Sequence, residues 1–429
     1  MTRYLGAHPA IAAIRAWHGE LTAIRRQLHG QPELGFEEHR TGALVAAELE
    51  RAGVDEIHRG IGRTGLVGVI RGGAARAAAR SSRGPDSAPA GGAAASATIG
   101  ATIGLRADMD ALPMQEENGF EHRSCVPGMM HGCGHDGHVT MLLAAARYLA
   151  ATRRFDGTVH LIFQPGEEGF AGAQAMIEDG LFERFPCDRV FAMHNWPGLP
   201  PGKVAVRPGP MMAAADKVTI RIDGRGGHGA HPHLAVDPVV VAAQLITAAQ
   251  TIVARNVPPL QSAVLSLCAL SAGNPGAFSV IPSSATLTGT VRTFSDEVQA
   301  TIQTRLTQLA HSIAQGFGAT AQVDYQRIYP ATINSTEEAL FAQRVAAEVF
   351  GEANLIRDLE PSMGSEDFAF MLKVRPGAYF RIGQGGAAEG RMLHSARYDF
   401  NDAILPLGGA LFARLAETAL VPAAALPLA

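Results

Sequence analysis

The sequence predicts an α/β protein: a mostly parallel-sheet domain interrupted by an inserted ferredoxin-like βαββαβ domain. Three observations predict it. Between residues 102 and 193, apolar strand-length runs alternate with helix-length runs, the pattern of a parallel sheet. After about Ala215 the order becomes strand, helix, strand, strand, helix, strand, the split ferredoxin-like unit. From Thr336 onward, helical and strand segments return that would rejoin the first sheet.

In chain order, residues 9–29 and 37–52 read as amphipathic helices, the second ending at Gly53. Leu66–Ile70 reads as a strand. Residues 72–99 are almost all Ala, Gly, Ser, Arg and Pro, which cannot build a core and predict a flexible surface insertion. Strands follow at Thr102–Arg106, Thr158–Gln164 and Arg189–Met193, with helices at Val139–Ala151 and Ala171–Glu183. The inserted unit reads as strand Lys217–Asp223, helix Asp237–Arg255, strands Ala263–Ala272 and Ala285–Phe294, helix Ser295–Gly316 and strand Thr320–Tyr329. Helices at Thr336–Phe350 and Ser365–Leu372, strand Ala378–Ile382 and helix Asn401–Leu420 complete the reading. The expected domains are therefore 1–214 plus 331–429, and 215–330.

Composition narrows the function classes. Of 429 residues, 47 % are hydrophobic and 18 % charged, ordinary globular usage. A net charge of −4 gives no electrostatic case for nucleic acid or an anionic membrane. Met1 to Trp17 lacks the pattern of a signal peptide, and no uncharged apolar run reads as a membrane span. Four cysteines are too few for a disulfide framework, so a reduced, cytoplasmic protein is expected.

The chemically able residues cluster where strands end. Asp108 follows one strand, Glu167 and Glu168 follow another after Pro165-Gly166, His194 follows a third and His394 lies beyond a fourth. Cys133 and His135 sit in a glycine-rich turn, Met130-His131-Gly132-Cys133-Gly134-His135-Asp136-Gly137-His138, before a helix. In an open parallel sheet, ligands bind at the carboxyl ends of the strands, so distant residues can converge on one edge. Thiolate, imidazole and carboxylate bind divalent transition metals. Neighbouring Glu167 and Glu168 point in different directions, so one carboxylate can bind metal while the other takes a proton from a metal-activated water. The alternatives are a buried free Cys133, a solvated acidic Glu-Glu turn and a core His194.

At this point the chain resembles the M20 metallopeptidase family, in its aminoacylase, hippurate-hydrolase and IAA-amino acid hydrolase-like branch. The resemblance rests on Leu28-His29…Pro32-Glu33-Leu34-Gly35-Phe36-Glu37-Glu38, on Leu105–Pro113, Met130–His138 and Gln164–Gly169, and on Met193-His194 and Gly364–Phe368. It implies a phosphorylase/hydrolase-like catalytic domain with two divalent metal ions, and a lid and dimerisation domain giving a homodimer or homotetramer. It implies Cys133, His135, Glu168, His194 and His394 as ligands, Glu167 as general base and then acid, and Asp108 as a supporting carboxylate. Asp110 reads as a structural neighbour. His228 would be a lid histidine that reaches the partner subunit's site and stabilises the oxyanion. Arg292 and Asn274 would grip the substrate's carboxylate or developing oxyanion. Ser279 stands before Val280-Ile281-Pro282 where the family often has Asn, which puts one substrate contact in doubt.

The implied activity is hydrolysis of the amide bond of small N-acyl amino acids. A dipeptidase or exopeptidase of the same family is the alternative; outside enzymes, a silent metal- or ligand-binding homologue. Gly224-Arg225-Gly226-Gly227-His228-Gly229 matches a dinucleotide fingerprint literally. Pro232 follows where a helix should begin, and residues 247–250 offer no acid. Cysteine and histidine ligands favour zinc or nickel, and carboxylates accept manganese or cobalt.

Overall fold

The computed structural model describes residues 8–73, 75–76 and 100–421. Most of the expected insertion at 72–99 lies outside the described residues. The described chain groups into two compact units. One comprises residues up to Gly209, Asn334–Glu360 and those from Phe370 onward; the other comprises Pro210–Ile333 and Pro361–Ala369. The sequence reading assigned 361–369 to the larger unit.

The larger unit is built on an eight-stranded mixed sheet in the order Glu56–Ile61, Gly65–Arg71, Thr158–Gln164, Thr102–Asp108, Arg189–Trp196, Gly377–Gly383, Val204–Ala205, Leu355–Ile356. The central four, Thr158–Gln164 to Gly377–Gly383, run parallel. Strands Glu56–Ile61 and Gly65–Arg71 are joined antiparallel at one side, and Val204–Ala205 is antiparallel to Gly377–Gly383. Every residue of Gly65–Arg71, Thr102–Asp108, Thr158–Gln164 and Gly377–Gly383 is buried. Such strands carry continuous apolar runs because both faces are covered. Helices His135–Thr152 and Leu405–Ala419 supply much of the covering, with Leu142, Leu149, Leu411 and Leu415 in the core.

The smaller unit has a four-stranded antiparallel sheet ordered Ala263–Ala272, Ser284–Thr293, Ala214–Asp223, Thr320–Tyr329, with helices Pro238–Asn256 and Asp296–Gly316. Element order along the chain is βαββαβ. Alternating Val218, Ile220 and Ile222 meet Val241, Leu245, Ile252, Ile302 and Leu306 in its core. Ser295 and Asp237 cap the two helices, accepting from Val298 N and Val239 N. Among the described residues one helix, Pro238–Asn256, is long and apolar enough to cross a membrane, at mean hydropathy 1.3. The sequence places this helix at Asp237–Arg255 and reads no membrane span in it. Its buried residues Val241, Leu245, Ala249 and Ile252 belong to this unit's core.

Several boundaries differ from expectation. Residues 9–29 form two helices, Pro9–Arg15 and His18–Gly30, parted at Ala16–Trp17. The helix expected over 171–183 is broken at Gly180 into Gly172–Glu178 and Leu181–Arg184. The helix expected from Val139 starts at His135, so His135, Asp136 and His138 lie in its first turn. The helix expected over 365–372 runs Phe368–Val374.

Candidate metal centre

Four parallel strands deliver the candidate residues to one edge. Asp108 is the last residue of Thr102–Asp108, paired with Gln164 at the end of Thr158–Gln164. His194 lies two residues before the end of Arg189–Trp196. Glu167 and Glu168 follow in the turn after Gln164, and His394 in the loop after Gly383. Cys133 precedes helix His135–Thr152, whose entry is shaped by Gly134 at φ 100. A Cβ on Gly134 would collide with Asn195 Oδ1, so close approach and backbone sign both demand glycine there.

These side chains converge. Ligand atoms of Cys133, His135 and His194 lie within 4.8 Å of one another, as do those of Cys133, Glu168 and His394, and those of His135, Glu167 and Glu168. Cys133 is shared by the first two groups. Its Sγ is 3.4 Å from His194 Nε2, and His394 Nε2 is 3.2 Å from Glu168 Oε1. The backbone N–H of His394 donates to Gly132 O at 2.8 Å, which ties this distant loop to the cysteine turn.

The imidazoles are oriented by their other nitrogens. His135 Nδ1 donates to Asp110 O at 2.8 Å, and His194 Nδ1 to Asn195 O at 2.7 Å, so both present Nε2 to the cluster. Asp108 takes a 2.6 Å bond from His138 Nδ1 and a 2.7 Å bond from Arg106. Sequence reasoning gave no role to His138. Its spacing of three from His135 on one helix was the signal available.

The donor set fits a divalent cation. Among the described residues, His135 Nε2 is buried with no hydrogen-bond partner, a costly state unless something else satisfies it. Burial pushes the Cys133 thiol well above its ordinary range, and Glu168, Glu167 and Asp108 push it further. A thiolate there needs a cation beside it. Burial disfavours charge on His135, but Asp108 and Asp110 outweigh it and raise its pKa to about 10. Burial, reinforced by His138, holds His194 well below its usual value. Asp108 stays well below the carboxylate range despite its burial, because His135, His138 and Arg106 surround it.

His228, Asn274 and Arg292 belong to the smaller unit. His228 is exposed on Gly227–His228, paired with Val280, and its Nδ1 accepts from Ala230 N at 3.1 Å. Asn274 is exposed, its Oδ1 accepting from Gly276 N at 2.9 Å. Arg292 is half-buried and donates to Ser365 Oγ at 3.2 Å.

Residues 104–418 match the sequence profile of peptidase family M20/M25/M40. The chain is 41 % identical over 398 residues to a protein named hippurate hydrolase from Campylobacter jejuni subsp. jejuni, covering 93 % of this chain and 96 % of that one. It is 37 % identical over 403 residues to IAA-amino acid hydrolase ILR1-like 4 of Arabidopsis thaliana, covering 92 % and 84 %. Its fold superposes on the crystal structure of Bacillus subtilis YXEP protein, described as a dinuclear metal binding peptidase from the M20 family. That match has TM-score 0.77 and 31 % identity over 95 % of this chain and 99 % of that one. The length and level of these matches show that the chain belongs to peptidase family M20/M25/M40.

Proposed function

We propose that this hydrolase cleaves the amide bond of N-acyl amino acids, with Cys133, His135, Glu168, His194 and His394 holding two divalent metal ions. The observation that carries the reading is the pair of three-donor groups sharing Cys133, with buried Glu167 beside them. When bound, the ions would lower the pKa of a water and polarise the amide carbonyl. Glu167 takes the proton from the attacking water and delivers it to the amide nitrogen as the C–N bond breaks. The water oxygen ends in the carboxylic acid, and the amino acid leaves with a free amine. Asp108 fixes His138 and stands near His135, so it orients the cluster rather than reacting.

In the same proposal, the larger unit acts as the catalytic domain and the smaller unit as lid and dimerisation domain. His228 would stabilise the oxyanion in a partner subunit's site, and Arg292 and Asn274 would hold the substrate carboxylate. The four free cysteines among the described residues suit a reducing, cytoplasmic setting.

The names of the hydrolase relatives support the acyl-amide reading. A second reading, cleavage of dipeptides, is supported by the structural relative described as a peptidase. The test is amino-acid release from benzoyl-glycine, acetyl-amino acids and a dipeptide panel, after chelation and reloading with zinc, manganese, nickel or cobalt. Turnover of acyl amides is expected. Turnover of dipeptides alone would overturn the first reading, and no turnover with full metal content would favour a binding protein.

A further inference from the structure

We infer that Glu38 is a positioning residue for the Gly166–Glu168 turn, acting with Asp110 as a two-carboxylate clamp on its backbone. The inference rests on the proposed role of Glu167 and deepens it.

Three consecutive amides of the turn donate to two buried carboxylates. Gly166 N donates to Glu38 Oε1 at 2.8 Å, Glu167 N to Asp110 Oδ1 at 3.0 Å and Glu168 N to Asp110 Oδ2 at 2.9 Å. Glu38 is 0 % and Asp110 1 % exposed. Successive N–H groups of this kind form an anion-binding concavity, and charge-assisted bonds to it are the stronger class. The arrangement is costly: burial raises the Glu38 carboxyl, and the Asp110 charge raises it further. Two acids kept in contact with one turn, against that cost, point to a demand for its geometry. Glu167 and Glu168 take their directions from that backbone.

The motif around Glu38, which the catalytic scheme otherwise leaves idle, is built against the same turn. Glu33 accepts from Thr41 N at 2.8 Å and Arg40 N at 3.1 Å, fixing the start of helix His39–Ala52 just after Glu38. Glu33 O accepts from Ala111 N at 2.8 Å, tying the motif to the segment that carries Asp110. A Cβ on Gly35 would run into the Phe170 ring and sit 3.0 Å from Gly166 Cα, so only glycine permits this approach. Phe36 meets Phe170 edge-on at 5.9 Å, and the Thr64 hydroxyl holds Glu38 Oε2. Residues 33–38 thus contact the turn through glycine, ring and carboxylate together.

The test pairs amide hydrogen exchange over residues 166–169 in ion-free protein with kcat and KM after metal loading. Glu38→Ala removes the acceptor. Exchange in this segment should accelerate at least about tenfold while the rest of the unit keeps its protection. kcat should fall roughly 10- to 100-fold with KM within about twofold, as expected for a small misplacement of a catalytic group. Glu38→Gln keeps an oxygen for Gly166 N and offers an N–H to Thr64, so it should recover both measurements. Unchanged exchange at 166–169, an unchanged kcat, general loss of protection or a Gln variant as impaired as Ala would overturn the clamp. If Glu38→Ala does not fold, Gly35→Ala presses the same turn from the other side; an unchanged kcat there overturns it too. Exchange needs no substrate, so failure to cleave N-acyl amino acids would refute the activity while exchange alone still decides the clamp.

Discussion

Replacing His29 with Gln should remove a pH-dependent part of the larger unit's stability. His29 is fully buried, with Nδ1 donating to Asp136 Oδ2 at 2.9 Å and Nε2 facing Glu116 Oε1 at 3.3 Å. Burial by itself would lower its pKa, but the two carboxylates overcome it and raise it from 6.5 to about 9. At 1.36 kcal/mol per pKa unit, that shift corresponds to about 3 kcal/mol. Below pH 6.5 both folded and unfolded chains hold the proton and the contribution is complete. Between 6.5 and about 9 the unfolded chain loses its proton first, so the contribution shrinks, and above 9 it is gone. Gln does not titrate. The stability gap between wild type and His29→Gln should therefore narrow by about 3 kcal/mol from pH 6 to pH 9.5. Urea unfolding of ion-free protein, followed by tryptophan fluorescence, measures it, because Trp17 and Trp196 are the two tryptophans and both lie in the larger unit. A gap that stays constant across this range would refute a protonated, doubly paired His29.

Glu167→Gln should lower turnover by about 10²- to 10⁴-fold while metal content by elemental analysis stays as in wild type; metal loss would contradict its assignment as base. Cys133→Ala removes the atom common to two donor groups and should reduce metal stoichiometry, an effect an unchanged ion count would disprove. Gly134→Ala forces a left-handed alanine against Asn195 and should cost at least about 2 kcal/mol in thermal unfolding. Mixing inactive Glu167→Ala with inactive His228→Ala should restore about a quarter of wild-type activity after random exchange. Half the dimers are then mixed, and each has one complete site. No recovery after verified exchange would exclude action between subunits.

Much of the fold was legible because its central strands are apolar runs of strand length, such as Thr158–Gln164 and Arg189–Trp196. Glu56–Ile61 was not, since Glu-Ile-His-Arg-Gly-Ile is polar and becomes a strand only by pairing with Gly65–Arg71. The two-residue strands Val204–Ala205 and Leu355–Ile356 carry no periodicity to read. The start of helix His135–Thr152 was hidden because His135-Asp136-Gly137-His138 has loop composition. Tertiary bonds from His135 to Asp110, Asp136 to His29 and His138 to Asp108 override that local preference. At the centre, the strand-end argument pointed to Glu168, His194 and His394 as residues that can meet Cys133. Glu38 and Asn195 gave no such signal, because they bond to backbone amides and side chains far away in sequence.

The order of strands in the larger sheet has a consequence during synthesis. Arg189–Trp196 takes Gly377–Gly383 as its parallel neighbour, and the whole 210–333 segment is made between them. At about 5–20 residues per second, the emerging chain holds a strand bearing His194 with one of its two edges unpaired for about 10–40 s. Such an edge invites pairing with another nascent chain. The smaller unit can close its own antiparallel sheet during that wait. His394 arrives still later, so Cys133, His135 and Glu168 leave the ribosome before their last companion. Emergence of His394, rather than folding of the first half, sets the moment at which this cluster of side chains can be completed.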